Sequence, residues 1–236
     1  MSRKALFAKK GRRVAVLGAA GLGAGLVLAA CSPVQLGAAA VVGNQRITTS
    51  ALDTQVASLQ TAAKPYGSAI QLTTANMPAA VLSWLIRFQI MDQVAAAKGI
   101  TVTAAQAQAG LASLASVAKQ NGASSTTELL VHVGVAPPMF PLIGQWEAQQ
   151  DAFAKLGNNG QEPTSTAQQT AFTTAINKAQ CSAAQNLNIQ VSPQYGRFDY
   201  ATTSFGVVAA PYTLSKPDPD TSPSPASTEG LTPAAC

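Results

Sequence analysis

Apolar positions recur every three or four residues in six separate stretches between residues 50 and 187, and two short runs outside them alternate or carry β-branched residues. The first run, Ala40-Val41-Val42-Gly43-Asn44-Gln45-Arg46-Ile47, predicts a strand broken by a turn, because Gly43-Asn44 suits positive φ. Ser50 with Asp53 is close to a capping box, and Leu52, Val56 and Leu59 follow at helical spacing. A first helix is therefore expected from about Ala51 to Lys64, where Pro65 stops it. In the next stretch Val81, Leu85, Phe88 and Val94 line one face while Leu82, Ile86 and Ile90 line another. A helix apolar on most sides belongs in the core. Gly99 ends it, and Thr103 with Gln106 opens a third helix striped by Leu111, Leu114 and Val117.

Ser125 with Glu128 opens a short fourth helix through Leu129, Leu130 and Val133 to Gly134. Pro137-Pro138 starts a fifth, with Phe140, Ile143, Trp146 and Phe153 on its apolar side, and the Gly157-to-Gly160 turn ends it. A sixth runs from about Thr166 to Asn186 with Phe172, Ile176 and Leu187 inward. Asn188-Ile189-Gln190-Val191-Ser192 then alternates as a strand. The expectation is a mainly α domain over 38–200, with about six helices and a small β element pairing the strands at about 40–47 and 188–192. From Lys216 the chain is Pro, Ser, Thr and Asp, so residues 201–236 are expected to be an extended, largely disordered tail.

The other end of the chain reads differently. Arg3, Lys4, Lys9, Lys10, Arg12 and Arg13 precede an uncharged stretch of 17 residues, Val14 to Ala30, which is the layout of a secretory signal. The stretch is Gly- and Ala-rich and short for a permanent span, which disfavours an uncleaved anchor. It ends in Leu28-Ala29-Ala30-Cys31, a lipobox pattern: small residues enter a peptidase cleft, and the Cys31 thiol takes a diacylglyceryl group by thioether. Residues 1–30 are thus expected to be a signal peptide and residues 31–37 a lipidated tether. This places the domain at the cell membrane on its extracytoplasmic face, held by two acyl chains. Arg12-Arg13 leaves both the general secretory and the twin-arginine route open.

Removing the leader changes the charge. Six of the 15 basic residues and none of the 10 acidic ones lie in residues 1–30, so the remainder holds nine bases against ten acids, a net charge of −1. The sequence pI near 9.3 is a property of the leader, and no nucleic-acid footprint remains. Of the three cysteines, Cys181 and Cys236 are left once Cys31 is lipidated, and an exported chain permits a disulfide between them if geometry allows.

Several phrases resemble the SurA N-terminal domain family of extracytoplasmic chaperones. They are Ala40 to Ile47 followed by Ser50-Ala51-Leu52-Asp53, and Leu85 to Ile90 leading into Ala95-Ala96-Ala97-Lys98-Gly99-Ile100-Thr101-Val102-Thr103. The resemblance covers about Ala38 to Leu156 and implies a SurA-N-like helical bundle that binds unfolded or extended exported polypeptides. Relatives of the SurA and PrsA type usually carry a parvulin prolyl isomerase domain after the helical part, whereas here only a short loop separates the fifth and sixth helices. The sole histidine, His132, cannot supply that enzyme's paired histidines. No catalytic activity is therefore expected. A structural lipoprotein docking one dedicated envelope partner is the alternative reading.

Other candidate chemistry is thin. Gly18 to Gly23 looks like a dinucleotide loop, but the helix and the acid about twenty residues on are missing. Ser116-Val117-Ala118-Lys119 matches the Ser-x-x-Lys of penicillin-recognising enzymes without its companion motifs. His132 alone makes no zinc site, so neither metal nor cofactor is expected. Asp92, Glu147 and Asp151 could form a carboxylate pair, although helix solubility accounts for each. Trp84, Phe88, Met139, Phe140 and Trp146 are the candidate peptide-binding residues. Most are expected to be core, with Met139 and Phe140 beside the Pro137-Pro138 break the ones expected to stay accessible.

Overall fold

The structure is a computed structural model, and it describes residues 37–70, 72–200 and 205–208. The leader, Cys31, nearly all of the tether, the tail beyond Val208 and Cys236 lie outside the described residues.

The expected N-terminal strand is a hairpin of two. β1 (Ala38–Val42) pairs antiparallel with β2 (Gln45–Thr48), and Gly43 turns between them at φ 58. Gly43 also donates its N–H to the Leu187 carbonyl at 2.5 Å, and a Cβ there would meet Leu187 Cδ2 at 3.0 Å. Glycine thus serves both the turn and the close approach. β3 (Gln190–Val191) joins the other edge of β1, with Ala40 opposite Val191 and Val41 opposite Gln190, so the order is β2-β1-β3. The predicted pairing of the two ends of the domain is present.

Six α-helices follow in the predicted order: α1 (Thr49–Ala63), α2 (Met77–Ala97), α3 (Ala104–Gln120), α4 (Thr126–His132), α5 (Phe140–Gly157) and α6 (Thr166–Asn186). α1 begins earlier than expected. Strand β2 runs straight into it, so Thr48, still extended, is the boundary residue and its Oγ1 accepts from Ala51 N at 3.1 Å, while Ser50 sits inside the helix. The Thr103–Gln106 capping box on α3 forms in both directions. At α4 only half of the expected box forms: Ser125 Oγ accepts from Glu128 N at 3.1 Å, but the Glu128 carboxylate turns to Ser124 instead. Ser165 and Gln168 make a second full box on α6 that the sequence reading had not identified.

α2 is the core helix. Val81, Leu82, Trp84, Ile86, Ile90 and Met91 are each at most 1% exposed. Trp84 spends its one polar atom well, since Nε1 donates to the Val133 carbonyl at 2.8 Å, and its ring meets Trp146 edge-on at 5.8 Å. α3 and α5 pack backbone to backbone. A Cβ on Gly144 would lie 2.2 Å from Ala107 O, and one on Gly110 would lie 2.6 Å from Gly144 O. Two glycines inside predicted helices, each about 1 kcal/mol worse than alanine there, mark this crossing.

A strand pair reaches into the stretch expected to be tail. β4 (Arg197–Asp199) and β5 (Gly206–Val208) form an antiparallel pair, and β5 lies along α2. Ser83 Oγ accepts from Val207 N at 2.8 Å while donating to Ala79 O at 2.7 Å. The Arg87 guanidinium donates to the Phe205 carbonyl through Nε at 3.1 Å and through Nη2, and its Cζ lies 5.2 Å from the Trp84 ring centre. Burial pushes Arg87 down to about 10, so it keeps its charge at neutral pH. Phe198, Tyr200 and Phe205 form a ring cluster under this pair, and burying a phenylalanine contributes about 1.5–3 kcal/mol, enough to hold so short a strand. The phenylalanine and Val207-Val208 were too few against the polar residues after them to read as an element.

Candidate functional site

Residues of α5, of α6 and of the loop that joins them line a cavity of about 350 Å³. Trp146, Phe172 and Pro163 give its apolar wall, and Glu147, Asp151 and Glu162 give its acidic one. The turn is fixed by its own polar groups. Asn158 Nδ2 donates to Gln161 O at 3.1 Å and Glu162 O at 3.0 Å, and Gln168 Nε2 donates to Asn158 Oδ1 at 3.0 Å. Lys155 Nζ sits 2.6 Å from Glu162 Oε1, which ties the end of α5 to the loop and holds the Lys155 ammonium above its ordinary range.

Glu147 and Asp151 are one helical turn apart on α5, so two like charges share one face. Burial pushes the Glu147 carboxyl up to about 7, and the neighbouring Asp151 adds to the rise. Asp151 is raised as well, first by burial, then by Glu162, with Lys155 opposing. Asp151 and Glu162 thus act on one ammonium, which Glu162 already engages, and the causes acting on Glu147 include no cation. The cleft favours a guest that brings positive charge together with an apolar body, which can lie on Trp146 and Phe172.

Of the three acids weighed from sequence, Glu147 and Asp151 come together here and Asp92 does not. Asp92 Oδ1, on α2, accepts from Gln145 Nε2 at 3.0 Å and Gln149 Nε2 at 2.7 Å, a polar link between α2 and α5. The pit beside it has about 10 Å³, room for no more than a water. Glu162 was missed because it reaches the cleft from a loop rather than from a helical period.

The candidate peptide-binding residues are mostly interior. Trp84, Phe88, Met139 and Trp146 are 1%, 6%, 1% and 4% exposed, and Phe140 is half-buried. The expectation that Met139 is accessible is corrected: Pro137–Met139 forms a tight turn packed against α1, which carries that side chain inward. Trp146 alone reaches the cleft. Ser116 and Lys119 lie exposed on α3, where Ser116 Oγ donates to Ser113 O at 2.8 Å. His132 stands one turn after Glu128 on α4 and helps hold that carboxyl below its ordinary range, after the hydrogen bonds from Ser124. Cys181, on α6 and 8% exposed, is half of a disulfide whose other half lies outside the described residues.

Among the described residues, no group of three His, Cys, Asp or Glu side chains is placed to hold a metal ion, and no single helix is long and apolar enough to cross a membrane. The Gly18-to-Gly23 loop lies outside them.

No curated protein and no solved structure matches the chain. One family does: residues 14–130 match the SurA-like N-terminal domain. The matched stretch begins at Val14, within the expected signal segment and earlier than the resemblance at about Ala38. It ends inside α4, so α5, α6 and the cleft between them lie beyond it. Over residues 14–130 the chain is similar to a family of chaperone type.

Proposed function

We propose that this protein is a membrane-anchored extracytoplasmic lipoprotein that binds unfolded or extended exported polypeptides without chemically changing them. The observation that carries the binding is the α5/α6 cleft, whose 350 Å³ lies within the range of working ligand pockets. Its apolar wall suits a large side chain of an extended segment, and its carboxyls suit a lysine or arginine close by. The SurA-like domain supports a chaperone role. The anchor rests on the basic leader and on Leu28-Ala29-Ala30-Cys31, with cleavage before Cys31 leaving residues 31–37 as the tether and the domain after them. The family match is to a SurA-like N-terminal domain, and the proposal assigns the chain no isomerase step.

Trp84, Phe88 and Met139 enter this reading as support for the cleft rather than as its surface. All three are buried, so a polypeptide would touch them only if the core opened.

The test uses a soluble form beginning at Ser32 and an unfolded client diluted from denaturant. The protein is expected to suppress client aggregation and to select peptides with basic residues beside apolar ones. Glu147→Lys with Asp151→Lys is expected to lose both effects. No suppression and no peptide bound from a library would end the proposal. The anchor is tested separately: Cys31→Ala should abolish labelling by radioactive palmitate, and continued labelling would refute the lipid anchor.

The fixed arrangement of three acids also suits a single basic segment of one dedicated partner. Crosslinking in cells separates the readings, since a chaperone captures many chains and a docking module one.

A further inference from the structure

We infer that the other half of the Cys181 disulfide is Cys236, so that one covalent bond encloses β3, β4 and β5 in a single loop. The inference rests on the lipoprotein reading, which removes one thiol from the count. Cys181 is a half-cystine, and the chain has three cysteines, so its partner is Cys31 or Cys236. A Cys31 sulfur carrying a diacylglyceryl group is a thioether, with no thiol to exchange. That leaves Cys236.

Reach does not oppose the bond. Cys236 lies 28 positions beyond Val208, and an extended chain covers up to about 3.3–3.6 Å per residue, so the span reaches more than the width of a domain of this size. The position is also one where a bond has an effect. α6 packs on α2, where Gln180 Nε2 approaches Met91 Sδ at 3.6 Å, and β5 is held on that same helix by Ser83 and Arg87. The bond would therefore fasten the chain on both sides of β5 to elements that already contact α2.

Formation consumes two thiols. Transfer from an extracytoplasmic protein disulfide balances the step: the two cysteines lose two protons and two electrons, the S–S bond forms, and the donor disulfide becomes two thiols. Lipidation and pairing are then coupled. An unlipidated Cys31 keeps a thiol that competes for Cys181, and modifying it leaves one pairing.

The experiment is a non-reducing peptide map of the full chain extracted from membranes, with free thiols alkylated under denaturing conditions before trypsin digestion. The expected result is Ala179–Arg197 joined to Phe198–Cys236, together with a lipid-modified Cys31. Alkylated Cys181 and Cys236 beside a lipidated Cys31 would overturn the inference and leave the lipid anchor standing. The same joined peptides beside an alkylated Cys31 would support the pairing and refute the anchor. Ala179–Arg197 joined to the Cys31 peptide would overturn both. As a second measurement, Cys236→Ser is expected to lower the Tm by several degrees, and an unchanged Tm would overturn the claim that the bond secures the fold.

Discussion

Replacing Glu147 by glutamine keeps the shape of the side chain and removes its ability to ionise. The carboxyl is pushed from 4.5 to about 7 in the folded protein, chiefly by burial and then by Asp151. A raised carboxyl pKa means that the folded state holds the proton more tightly than the unfolded one. Stability from this group is therefore greatest below pH 4.5 and is lost as pH rises through 7. The full change corresponds to about 3 kcal/mol, an upper bound because Glu147 is only half-buried and solvent reaches it through the cleft. Glu147→Gln should match the wild type near pH 4 and exceed it by about 1–3 kcal/mol at pH 8.5. Urea unfolding of both proteins at four pH values between 4 and 8.5 reads this directly, because pH effects of groups that do not interact with Glu147 cancel in the difference. Curves that run parallel across the range, or a gain confined to low pH, would refute the electrostatic account of the cleft.

Other outcomes follow from packing and from the β5 clamp. Gly144→Ala puts a methyl 2.2 Å from Ala107 O, so α3 and α5 must move apart; a loss of about 1–3 kcal/mol in urea unfolding is expected despite the better helix propensity, and a neutral result would contradict the close crossing. Arg87→Met leaves the Phe205 carbonyl without its donors, which should cost about 1–3 kcal/mol and speed amide exchange at Val207, with unchanged exchange counting against the clamp. Trp84→Phe takes away the donor to the Val133 carbonyl and should destabilise by about 1–3 kcal/mol, whereas full stability in thermal unfolding would show that bond to be dispensable.

Local signals in the sequence carried the helices well. α6 has the predicted bounds, and the Thr103–Gln106 box opens α3, because both depend on residues within one turn of each other. Ser50 failed as a cap because the competing residue, Thr48, is decided by where β2 ends, which is a tertiary matter. The β4–β5 pair was illegible for a similar reason: three-residue strands have no usable period, and β5 is held by Ser83 and Arg87, more than a hundred residues away. At the cleft, the i,i+4 spacing of Glu147 and Asp151 was readable. The cavity was not, because it depends on how α5 and α6 are placed and on Asn158 presenting Glu162 from the turn. Met139 shows the converse error: a proline break suggested exposure, and a tight turn against α1 buried it.

The most direct test of polypeptide binding is site-specific photocrosslinking in the exporting cell, with a photoreactive residue at Gln150 in the cleft wall and a control at Thr61 on the exposed face of α1. The account predicts adducts of many sizes at Gln150, lost when Glu147 and Asp151 are changed to lysine, and few at Thr61. No adduct at Gln150, or equal labelling at both positions, would contradict it.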